Sequence, residues 1–479
     1  GRVLQCPDPA LIVPFQFDTR EISIGALRMV ETNSAEGVTR TLASYVLEAK
    51  FEAIPADIKA KAITAMVNWI GCAVGGSGHE TLDVAWAALG PFAGAPQASI
   101  LGRDIKTDIL TAAFLNGTTS HVDDFDDTHL KTAIHPSGPV LGAILALAEH
   151  RLVTGPDFLH AMILGIETEC RIGNAIHPEH YDVGWHITGT AGVFGSAAAA
   201  GRLLGLSVQE MCFAFGIAAT QASGLRDVFG TMCKPFHVGH AAKNGLSAAL
   251  LAKSGFTSSE GIIEAPRGFA NVLSTKQDFA KITEGLGDSF ELATNSYKPF
   301  PCGVVIHPVL DGCLQLKNVH DFKSEEIKSV ELKVHRLVLE LTGNKEPTTD
   351  LEARFSIFHS AAVALERGRA GIAEYTNETV NDPDVVALRS RVRASIEPGI
   401  EQDQIDITIT LEDGRVLNTF IEHAIGSKDN PMSDSDIDTK TKVQCAPILG
   451  DAGVEHMIAT CRDTLNLASA AAIAESATP

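Results

Sequence analysis

The chain has 479 residues, which is too long for one simple core and favours two domains. Apolar residues make up 45% and charged residues 20% of the sequence, proportions that are typical of a folded protein and argue against disorder. The formal net charge of −21 disfavours nucleic acid as a partner, because phosphate binding needs a basic surface. The sequence has no apolar run of the roughly 20 residues that a membrane span needs, so no membrane partner is expected.

Helical periodicity dominates residues 36–294. Apolar residues recur at helical spacing from Thr39, and Ile54-Pro55 begins a second helix that ends at Gly75-Gly76. Asn116-Gly117 is a turn signal that is expected to end a helix over residues 107–115. Ser207 and Glu210 have the spacing of a capping box. Further helices are predicted over residues 81–89, 139–150, 155–176, 189–204 and 239–252, so this part of the chain is expected to be a large all-helical domain.

The pattern changes near residue 295. Strand-like alternation covers residues 328–341 and 404–411, and a hairpin partner over 415–421 follows the Asp413-Gly414 turn. A helix is expected over residues 351–366. Residues 295–433 are therefore predicted to form a smaller α+β domain. Residues 434–479 are expected to return to helix, from about 447 to 474, and to pack on the helical domain, which makes the fold class mostly α.

The first 35 residues show no regular pattern and are interpreted as an irregular N-terminal extension. They lack the basic start and apolar stretch of a signal peptide, and their acidic residues (Asp8, Asp18, Glu21) are atypical of a transit peptide. The nine cysteines of the chain form no C-x-x-C pair and fit buried thiols of a reducing compartment. A cytoplasmic location is predicted, and the mitochondrial matrix is the alternative.

The densest cluster of chemically versatile residues lies between Asn116 and Ser137. It holds four aspartates and three histidines: Asp123, Asp124, Asp126, Asp127, His121, His129 and His135. Charge this dense is costly to bury unless each group is paired, so the stretch forms either a solvated loop or a site. Ten of the seventeen histidines lie between His121 and His240, which favours a site.

Acid–base chemistry is the kind of site that these residues favour. Their spacing matches no zinc or calcium motif, and the sequence has neither a phosphate-binding loop nor a serine-hydrolase elbow. No metal and no other cofactor is therefore predicted. Histidine or a carboxylate with a raised pKa can abstract a proton, while lysines hold the carboxylates of a substrate. Lys234 and Lys298 each precede a proline that restrains their backbone, which favours them for this role.

Several motifs, taken in order, resemble those of the MmgE/PrpD family. They read D-F-D-D-T, H-P-S, G-W-H-I-T-G-T, K-P-F-H-V-G-H-A-A-K-N-G and K-P-F-P-C, and the resemblance runs from about Thr39 to the tail. The family includes 2-methylcitrate dehydratase, cis-aconitate decarboxylase and iminodisuccinate epimerase. The resemblance implies a homodimer, a smaller α+β lid over the helical domain, and cofactor-independent chemistry in the cleft between them.

The resemblance also implies roles for residues within these motifs. The candidate catalytic residues are Asp124, His135, His186 and Lys234. The candidate substrate-binding residues are Thr128, His129, Lys131, Lys298 and His237. His129 and Lys131 lie between D-D-T and H-P-S, where the chain departs from the bacterial dehydratase motif, and are expected to influence substrate choice.

The leading hypothesis is a hydro-lyase that acts on a small di- or tricarboxylate of the 2-methylcitrate type. His135, polarised by Asp124, would move the proton, while Lys234, Lys298 and His186 hold carboxylates. The alternatives are an epimerase of an iminodisuccinate-like substrate, a cis-aconitate decarboxylase and a non-catalytic carboxylate-binding protein. Decarboxylation is disfavoured because Cys302-Gly303-Val304 and His359 stand where animal-type decarboxylases have a histidine and a tyrosine.

Overall fold

Helices account for most of the structure, a computed structural model that describes residues 37–479. The predicted N-terminal extension, residues 1–35, lies outside the described residues. The helices before residue 294 are α1 (Val38–Glu48), α2 (Ala56–Gly75), α3 (Glu80–Leu89), α4 (Ile109–Thr119), α5 (Ser137–His150), α6 (Gly155–Ile176), α7 (Glu179–Val183), α8 (Ile187–Leu203), α9 (Val208–Ala219), α10 (Cys233–Lys253), α11 (Phe269–Leu273) and α12 (Ala280–Thr283). Four two-residue strands accompany them as two short pairs: β1 (Ala98–Ser99) with β2 (Lys106–Thr107), and β3 (Thr128–His129) with β4 (Asn295–Ser296).

Small residues let the central helices approach each other closely. Helix α8 is buried from Ile187 to Gly201 and packs between α6 and α10. A Cβ atom on Gly117 of α4 would lie 2.9 Å from the Cα of Gly239 in α10. Gly245 of α10 is similarly close to Ser196 of α8. The small-residue segments of the sequence therefore place α4 and α8 against α10, and this packing brings their ends toward one region.

Each helix predicted before residue 294 corresponds to an observed one, but α10 begins at Cys233, before the predicted start, and the end predicted at Asn116-Gly117 is misplaced. The capping box at Ser207 is confirmed, because Ser207 and Glu210 each accept a hydrogen bond from the other's backbone N–H. The predicted turn at Asn116-Gly117 is wrong, since α4 continues to Thr119. Asn116 uses its side-chain amide to bind the backbone of the β1 segment at Ser99 and Leu101, and Gly117 permits the contact with α10. Both residues are there for tertiary packing rather than for a turn.

A four-stranded sheet with its own apolar core follows residue 295. Its strands are β5 (Ile327–Val334), β6 (Val392–Ile396), β7 (Ile405–Leu411) and β8 (Val416–Ile421), in the order β6-β5-β7-β8. Strands β5 and β6 are parallel and the other neighbours are antiparallel. The helices of this region are α13 (His307–Val319), α14 (Arg336–Thr342), α15 (Asp350–Ala353), α16 (Ile357–Arg367), α17 (Asn377–Val380) and α18 (Pro383–Arg389).

Alternation predicted two of these strands well and part of a third. In β7, Ile405, Ile407, Ile409 and Leu411 are buried in turn, and β8 follows as the predicted hairpin partner. The strand expected over 328–341 ends at Val334, because the His335 side chain accepts a hydrogen bond from Leu337 N–H and begins α14. The single helix expected over 351–366 is two, α15 and α16. Strand β6 was not predicted.

The C-terminal segment packs against the helical half. Helix α19 (Asp434–Arg462) begins before the predicted start and lies along α2, with an interruption at Gly450, where φ is +68°. Helix α20 (Ala471–Ser476) follows it. The eight cysteines within residues 37–479 are all free thiols. None of the helices in this range is both long and apolar enough to cross a bilayer.

Candidate active site

The acidic stretch forms a buried loop between α4 and α5 rather than a solvated one. Asp123, Asp124, Asp126 and Asp127 are each at most 6% exposed. Asp124 has a φ of +49°, in the left-handed region that few residues other than glycine adopt. Strain of this kind persists where surrounding contacts hold the backbone firmly, and it is common at functional sites. The buried charge and the strained backbone together mark this loop as the candidate site.

Two lysines from distant parts of the chain converge on Asp124. Lys234, in the first turn of α10, places its Nζ 2.6 Å from Asp124 Oδ1. Lys298, just after β4, places its Nζ 3.0 Å from the same oxygen and also donates to the carbonyls of Asp124 and Cys302. Burial by itself would raise the pKa of Asp124, but the two ammonium groups hold it well below its ordinary value. Asp124 is therefore an anion that positions two cations.

His121 and Asp126 support Lys234 from behind. The Nε2 atom of His121 lies 2.7 Å from Lys234 Nζ, and its Nδ1 lies 2.9 Å from both carboxylate oxygens of Asp126. Burial lowers the pKa of His121 to about 3, against the opposing effect of Asp126, so the ring is neutral. Because carboxylate oxygens accept hydrogen bonds, the hydrogen resides on Nδ1 and Nε2 accepts from the lysine. His121 is not among the candidate site residues predicted from the sequence.

His135 lies beside this cluster with one ring nitrogen engaged. Its Nδ1 is 3.0 Å from the Asp127 carbonyl oxygen, 3.3 Å from Asp126 Oδ1 and 3.3 Å from the Thr128 hydroxyl. Its Nε2 is 4.0 Å from Asp124 Oδ1. Burial lowers the pKa of His135, and the nearby lysines add to that effect while Asp126 opposes it. The ring is neutral. Of the two nitrogens of His135, Nε2 is the one directed toward Asp124 of the Lys234–Asp124 pair.

His186 and His237 form a second pair next to His121. His186 immediately precedes α8, and its Nδ1 lies 2.9 Å from Nδ1 of His237 in α10. The rings of His121 and His186 are stacked with centroids 6.0 Å apart. Burial, with a further contribution from Lys234, lowers the pKa of both histidines, that of His237 to about 4. His186 faces the candidate site, and His237 holds it in place.

The main cavity beside these residues has a volume of about 690 Å³. The sequence-predicted residues that line it are Asp124, Thr128, His135, His186, Lys234 and Lys298. His237 contacts His186 from outside this lining. The pairing of β3 with β4 explains how the second half of the chain reaches the site, since Thr128 lies opposite Ser296 and thereby brings Lys298 alongside the loop.

His129 and Lys131 do not join the other predicted residues. His129 is buried, with Nε2 2.9 Å from Glu291 and Nδ1 2.7 Å from Thr132. Lys131 also binds Glu291, at 3.2 Å, and lines a separate polar recess near Arg171. Neither residue is part of the lining of the main cavity, because the loop turns both side chains toward Glu291. We therefore leave them out of the candidate site.

Among the lining residues of the main cavity that were not predicted are three that lie close to the charged cluster. His307, at the start of α13, is buried, its Nε2 has no hydrogen-bond partner among residues 37–479, and burial lowers its pKa to about 3. Phe229 and Phe355 stand over Lys234, with ring centroids 5.4 and 5.2 Å from its Nζ. The K-P-F-P-C segment runs toward His307, but no local pattern marks the two aromatic residues.

Two further cations hold the loop from its outer side. Lys440 of α19 donates from Nζ to the carbonyls of Phe125 and Lys298, at 2.5 and 2.9 Å, and to Asn68 at 2.7 Å. Arg354 donates to the Asp123 carbonyl at 2.9 Å, to the Asp123 carboxylate at 2.6 Å and to the Pro301 carbonyl at 2.7 Å. Both side chains act on backbone that flanks Asp124 and Lys298. They explain how the strained φ of Asp124 is maintained.

Four of these residues offer atoms that could in principle hold a metal ion. Ligand atoms of His121, Asp124, Asp126 and His135 lie within 4.8 Å of one another. Lys234 Nζ, however, already contacts His121 Nε2 and Asp124 Oδ1, and Lys298 also contacts Asp124. A divalent ion would place its charge beside two ammonium groups. The cluster therefore suits cations that the chain itself supplies.

The arrangement has the components of proton-transfer chemistry at an anionic substrate. It combines a neutral histidine at the cavity wall, two lysines close together and several neutral imidazoles that can donate or accept hydrogen bonds. Proton abstraction next to a carboxylate needs a base within reach and cations that stabilise the developing charge.

The sequence matches two family models in the order expected for one protein. The MmgE/PrpD N-terminal domain matches residues 40–282, and the MmgE/PrpD C-terminal domain matches residues 300–464. The cis-aconitate decarboxylase of Mus musculus is 27% identical over 443 residues, which cover 88% of this chain and 90% of the relative. That of Homo sapiens is 30% identical over 373 residues, 74% of this chain and 76% of the relative.

Other relatives are named for a different reaction, the dehydration of 2-methylcitrate. The mitochondrial 2-methylcitrate dehydratase of Yarrowia lipolytica is 25% identical over 429 residues, 82% of this chain and 81% of the relative. Since the two family models together cover most of the sequence, the chain belongs to the MmgE/PrpD family.

Proposed function

We propose that this protein is an acid–base lyase for a small tricarboxylate, and that it removes water from a hydroxy acid of the 2-methylcitrate type. The observation that carries the proposal is the convergence of Lys234, Lys298 and neutral His135 around Asp124 at one end of the main cavity. The relatives include proteins named cis-aconitate decarboxylase and 2-methylcitrate dehydratase, and proton transfer next to a carboxylate is the chemistry that this cluster suits.

His135 is the proposed base. Its Nδ1 faces two oxygens that only accept hydrogen bonds, the Asp127 carbonyl and the Asp126 carboxylate, so Nδ1 carries the hydrogen. Its Nε2 then presents a lone pair on the side of Asp124 and the cavity. The lowered pKa of His135 keeps this nitrogen unprotonated at neutral pH. This geometry allows His135 to take a proton from the carbon next to a substrate carboxylate.

Lys234 is the proposed acid. Two of its three N–H bonds point to Asp124 and His121, and one remains for the cavity. Burial lowers its pKa, against the opposing effect of Asp124, which makes proton release easier than for an exposed lysine. As His135 takes the proton from carbon, the C–H electron pair forms the double bond and the C–O bond breaks. The leaving hydroxyl takes a proton from Lys234 and departs as water.

The remaining cavity residues are proposed to orient the carboxylates. Lys298 uses its N–H bonds on Asp124 and two carbonyls, so it acts through its charge rather than as a free donor. His186, Thr128 and His307, whose Nε2 has no hydrogen-bond partner within residues 37–479, are proposed to hydrogen-bond the substrate. The two lysines near the reacting centre would stabilise the negative charge that develops on the substrate as the proton leaves.

Decarboxylation of a cis-aconitate-like acid is the second candidate function. It is favoured by the extent of the match to the Mus musculus cis-aconitate decarboxylase, which spans 88% of this chain. The same cluster could deliver a proton to carbon while a carboxylate leaves as carbon dioxide. Dehydration stays first because neither Gly303 nor His359 supplies the residue types expected of the animal-type decarboxylases, and His359 is buried against Glu374 and Tyr375.

We also infer an organisation in which residues 295–433 form a lid over the helical domain of residues 36–294, with residues 434–479 completing that domain. The composition of the site supports this, because Lys298, Gly303 and His307 line the same cavity as Asp124 and Lys234. The family resemblance supports a homodimer, and the free cysteines support a cytoplasmic location. Sedimentation of the purified protein and imaging of a tagged full-length chain test these two inferences.

The test is a direct comparison of two substrates. We expect 2-methylcitrate to yield an alkene, followed by ultraviolet absorbance, and we expect release of carbon dioxide from cis-aconitate to be at least tenfold slower. His135→Asn keeps a polar amide near the position of Nδ1 but removes the Nε2 base. We expect kcat for dehydration to fall about 10²–10⁴-fold in this variant. Lys253→Met is the matched control, because that lysine lies at the far end of α10 and binds the Gly205 carbonyl.

Faster carbon dioxide release than alkene formation would replace the first function by the second. Turnover of neither substrate, or an unchanged rate in His135→Asn, would contradict the proposed site.

A further inference from the structure

The main cavity has two unlike ends. Its charged end carries Asp124, His135 and Lys234, and apolar side chains contribute the larger part of the wall as a whole. The volume of about 690 Å³ falls within the range of about 300–1,000 Å³ that encloses drug-sized ligands. A small tricarboxylate held by the charged end occupies only part of such a space. The rest of the cavity has room for a further part of the substrate, and its wall suits an apolar group.

A pair of aromatic rings connects the charged end of the cavity to the apolar part of its wall. Phe229 and Phe355 lie 5.8 Å apart, and both stand within 5.4 Å of Lys234 Nζ. Beyond them comes Gly303, where a Cβ atom would meet Phe355 at 3.7 Å and Thr342 at 3.6 Å, which is ordinary contact. Thr342 ends α14. The apolar wall therefore begins directly over the proposed acid and runs outward to α14.

Helix α14 presents an apolar face to this part of the cavity. Leu337 and Leu341 are one helical turn apart and share that face, and both are only half-buried. Val304, Val305 and Ile425 line the same region and are also half-buried. Apolar side chains that border a cavity favour an apolar ligand, because its burial removes both surfaces from water. The cation that α14 contributes to the lining is Arg336, whose side chain is exposed.

We propose that the substrate is a polycarboxylate that carries a linear apolar tail of several carbons. The carboxylates and the reacting carbon lie at the Lys234 end, and the tail passes the two phenylalanines and lies along Leu337 and Leu341. Arg336, Glu401 and Asp403 mark the mouth, where the tail ends at solvent. This proposal rests on the proposed function and specifies its substrate class as alkyl-substituted citrates longer than the methyl compound.

A homologous series of 2-alkylcitrates from methyl to hexyl tests the tail. We expect kcat/KM to rise about fourfold for each methylene that the wall covers, since this is the gain from burying one CH₂ group. Leu337→Ser and Leu341→Ser should flatten this dependence. Gly303→Val fills the inner part of the wall and should reverse it, so that the methyl compound becomes the better substrate. Val319→Ser, an apolar-to-polar change at an exposed site at the end of α13, should keep the wild-type dependence.

Binding of unreactive analogues separates this proposal from the proposed function. Tricarballylates with the same tails lack the hydroxyl group, and their dissociation constants can be measured by calorimetry without turnover. We expect affinity to rise with tail length in the wild type and to lose this trend in Leu341→Ser. That result would support binding of the tail even if no alkylcitrate is dehydrated. If 2-methylcitrate is dehydrated but longer tails improve neither kcat/KM nor affinity, the proposal of an apolar tail is wrong. The proposed function is then unaffected. The apolar wall would then close against the helical half.

Discussion

Asp124 and Asp127 lie three residues apart in one buried loop, yet their surroundings are opposite. Asp124 is surrounded by Lys234 and Lys298 and lines the main cavity. Asp127 accepts hydrogen bonds from the Ser137 hydroxyl and the Asn295 amide, both at 2.6 Å, and has no cation among its hydrogen-bond partners in the described residues. The lysines hold the pKa of Asp124 well below its ordinary value despite burial, whereas burial raises the pKa of Asp127 to about 7.

The difference between Asp124 and Asp127 shows that local sequence does not predict which residues of this loop meet cations and which are structural. Both residues belong to the D-F-D-D-T motif, but only Asp124 meets cations that come from α10 and from the segment after β4. Asp127 instead fastens the loop to α5 through Ser137 and to β4 through Asn295. We therefore interpret Asp124 as part of the chemistry and Asp127 as a neutral structural group. Three substitutions test this comparison.

The largest effect is expected from Asp124→Asn. This change removes the negative charge that faces two buried ammonium groups, and breaking a buried pair from one side typically costs about 3–5 kcal/mol of unfolding free energy. We expect kcat to fall at least about 10²-fold, because the lysines lose their orientation. Urea unfolding and steady-state kinetics measure the two effects. Kinetics close to those of the wild type would show that Asp124 has no role in positioning the cations.

A smaller effect is expected from Lys440→Met. The change leaves the carbonyls of Phe125 and Lys298 buried without their donor, which costs about 1–3 kcal/mol per group. Because these carbonyls flank Asp124 and belong to Lys298, we expect kcat to fall about tenfold with little change in KM. A raised KM with unchanged kcat would contradict a positioning role. Lys442→Met is the matched control, since that lysine lies in the same helix but is half-exposed and forms an ion pair with Glu455 on the same helix.

The smallest effect on activity is expected from Asp127→Asn. The amide oxygen can still accept from Ser137 and Asn295, so we expect kcat within about threefold of wild type. The stability should instead depend on pH. Because the pKa of Asp127 is raised from 3.8 to about 7, its contribution to stability is complete below pH 3.8 and is lost as the pH rises through 7.

The asparagine variant does not titrate at this position. Between about pH 4 and pH 7, wild-type unfolding free energy should therefore fall relative to the variant by up to about 1.4 kcal/mol per pH unit. Urea unfolding of both proteins at several pH values measures the difference and cancels the titration of all other groups. A difference that is constant with pH would mean that Asp127 is charged, and the comparison with Asp124 would lose its basis.

Local features of the sequence determined most of the helical half and part of the sheet. Apolar periodicity, the Ser207 capping box and the alternation of β7 act over a few residues, so they can be recognised without knowing what packs against them. The sequence also predicted Asp124, His135, Lys234 and Lys298 as candidate site residues, because they belong to motifs that resemble one family, and all four line one cavity.

Only the tertiary structure decided which of the charged residues in the loop could meet a substrate. Lys440 reaches Phe125 across 315 residues of sequence, and Arg354 reaches Asp123 across 231. Glu291 draws His129 and Lys131 away from the main cavity. Electrostatic contacts of this kind act between segments that the fold brings together, so a sequence pattern of short range carries no record of them. The apolar wall of α14 became visible for the same reason, since its Leu337 and Leu341 face a cavity that the helical half completes.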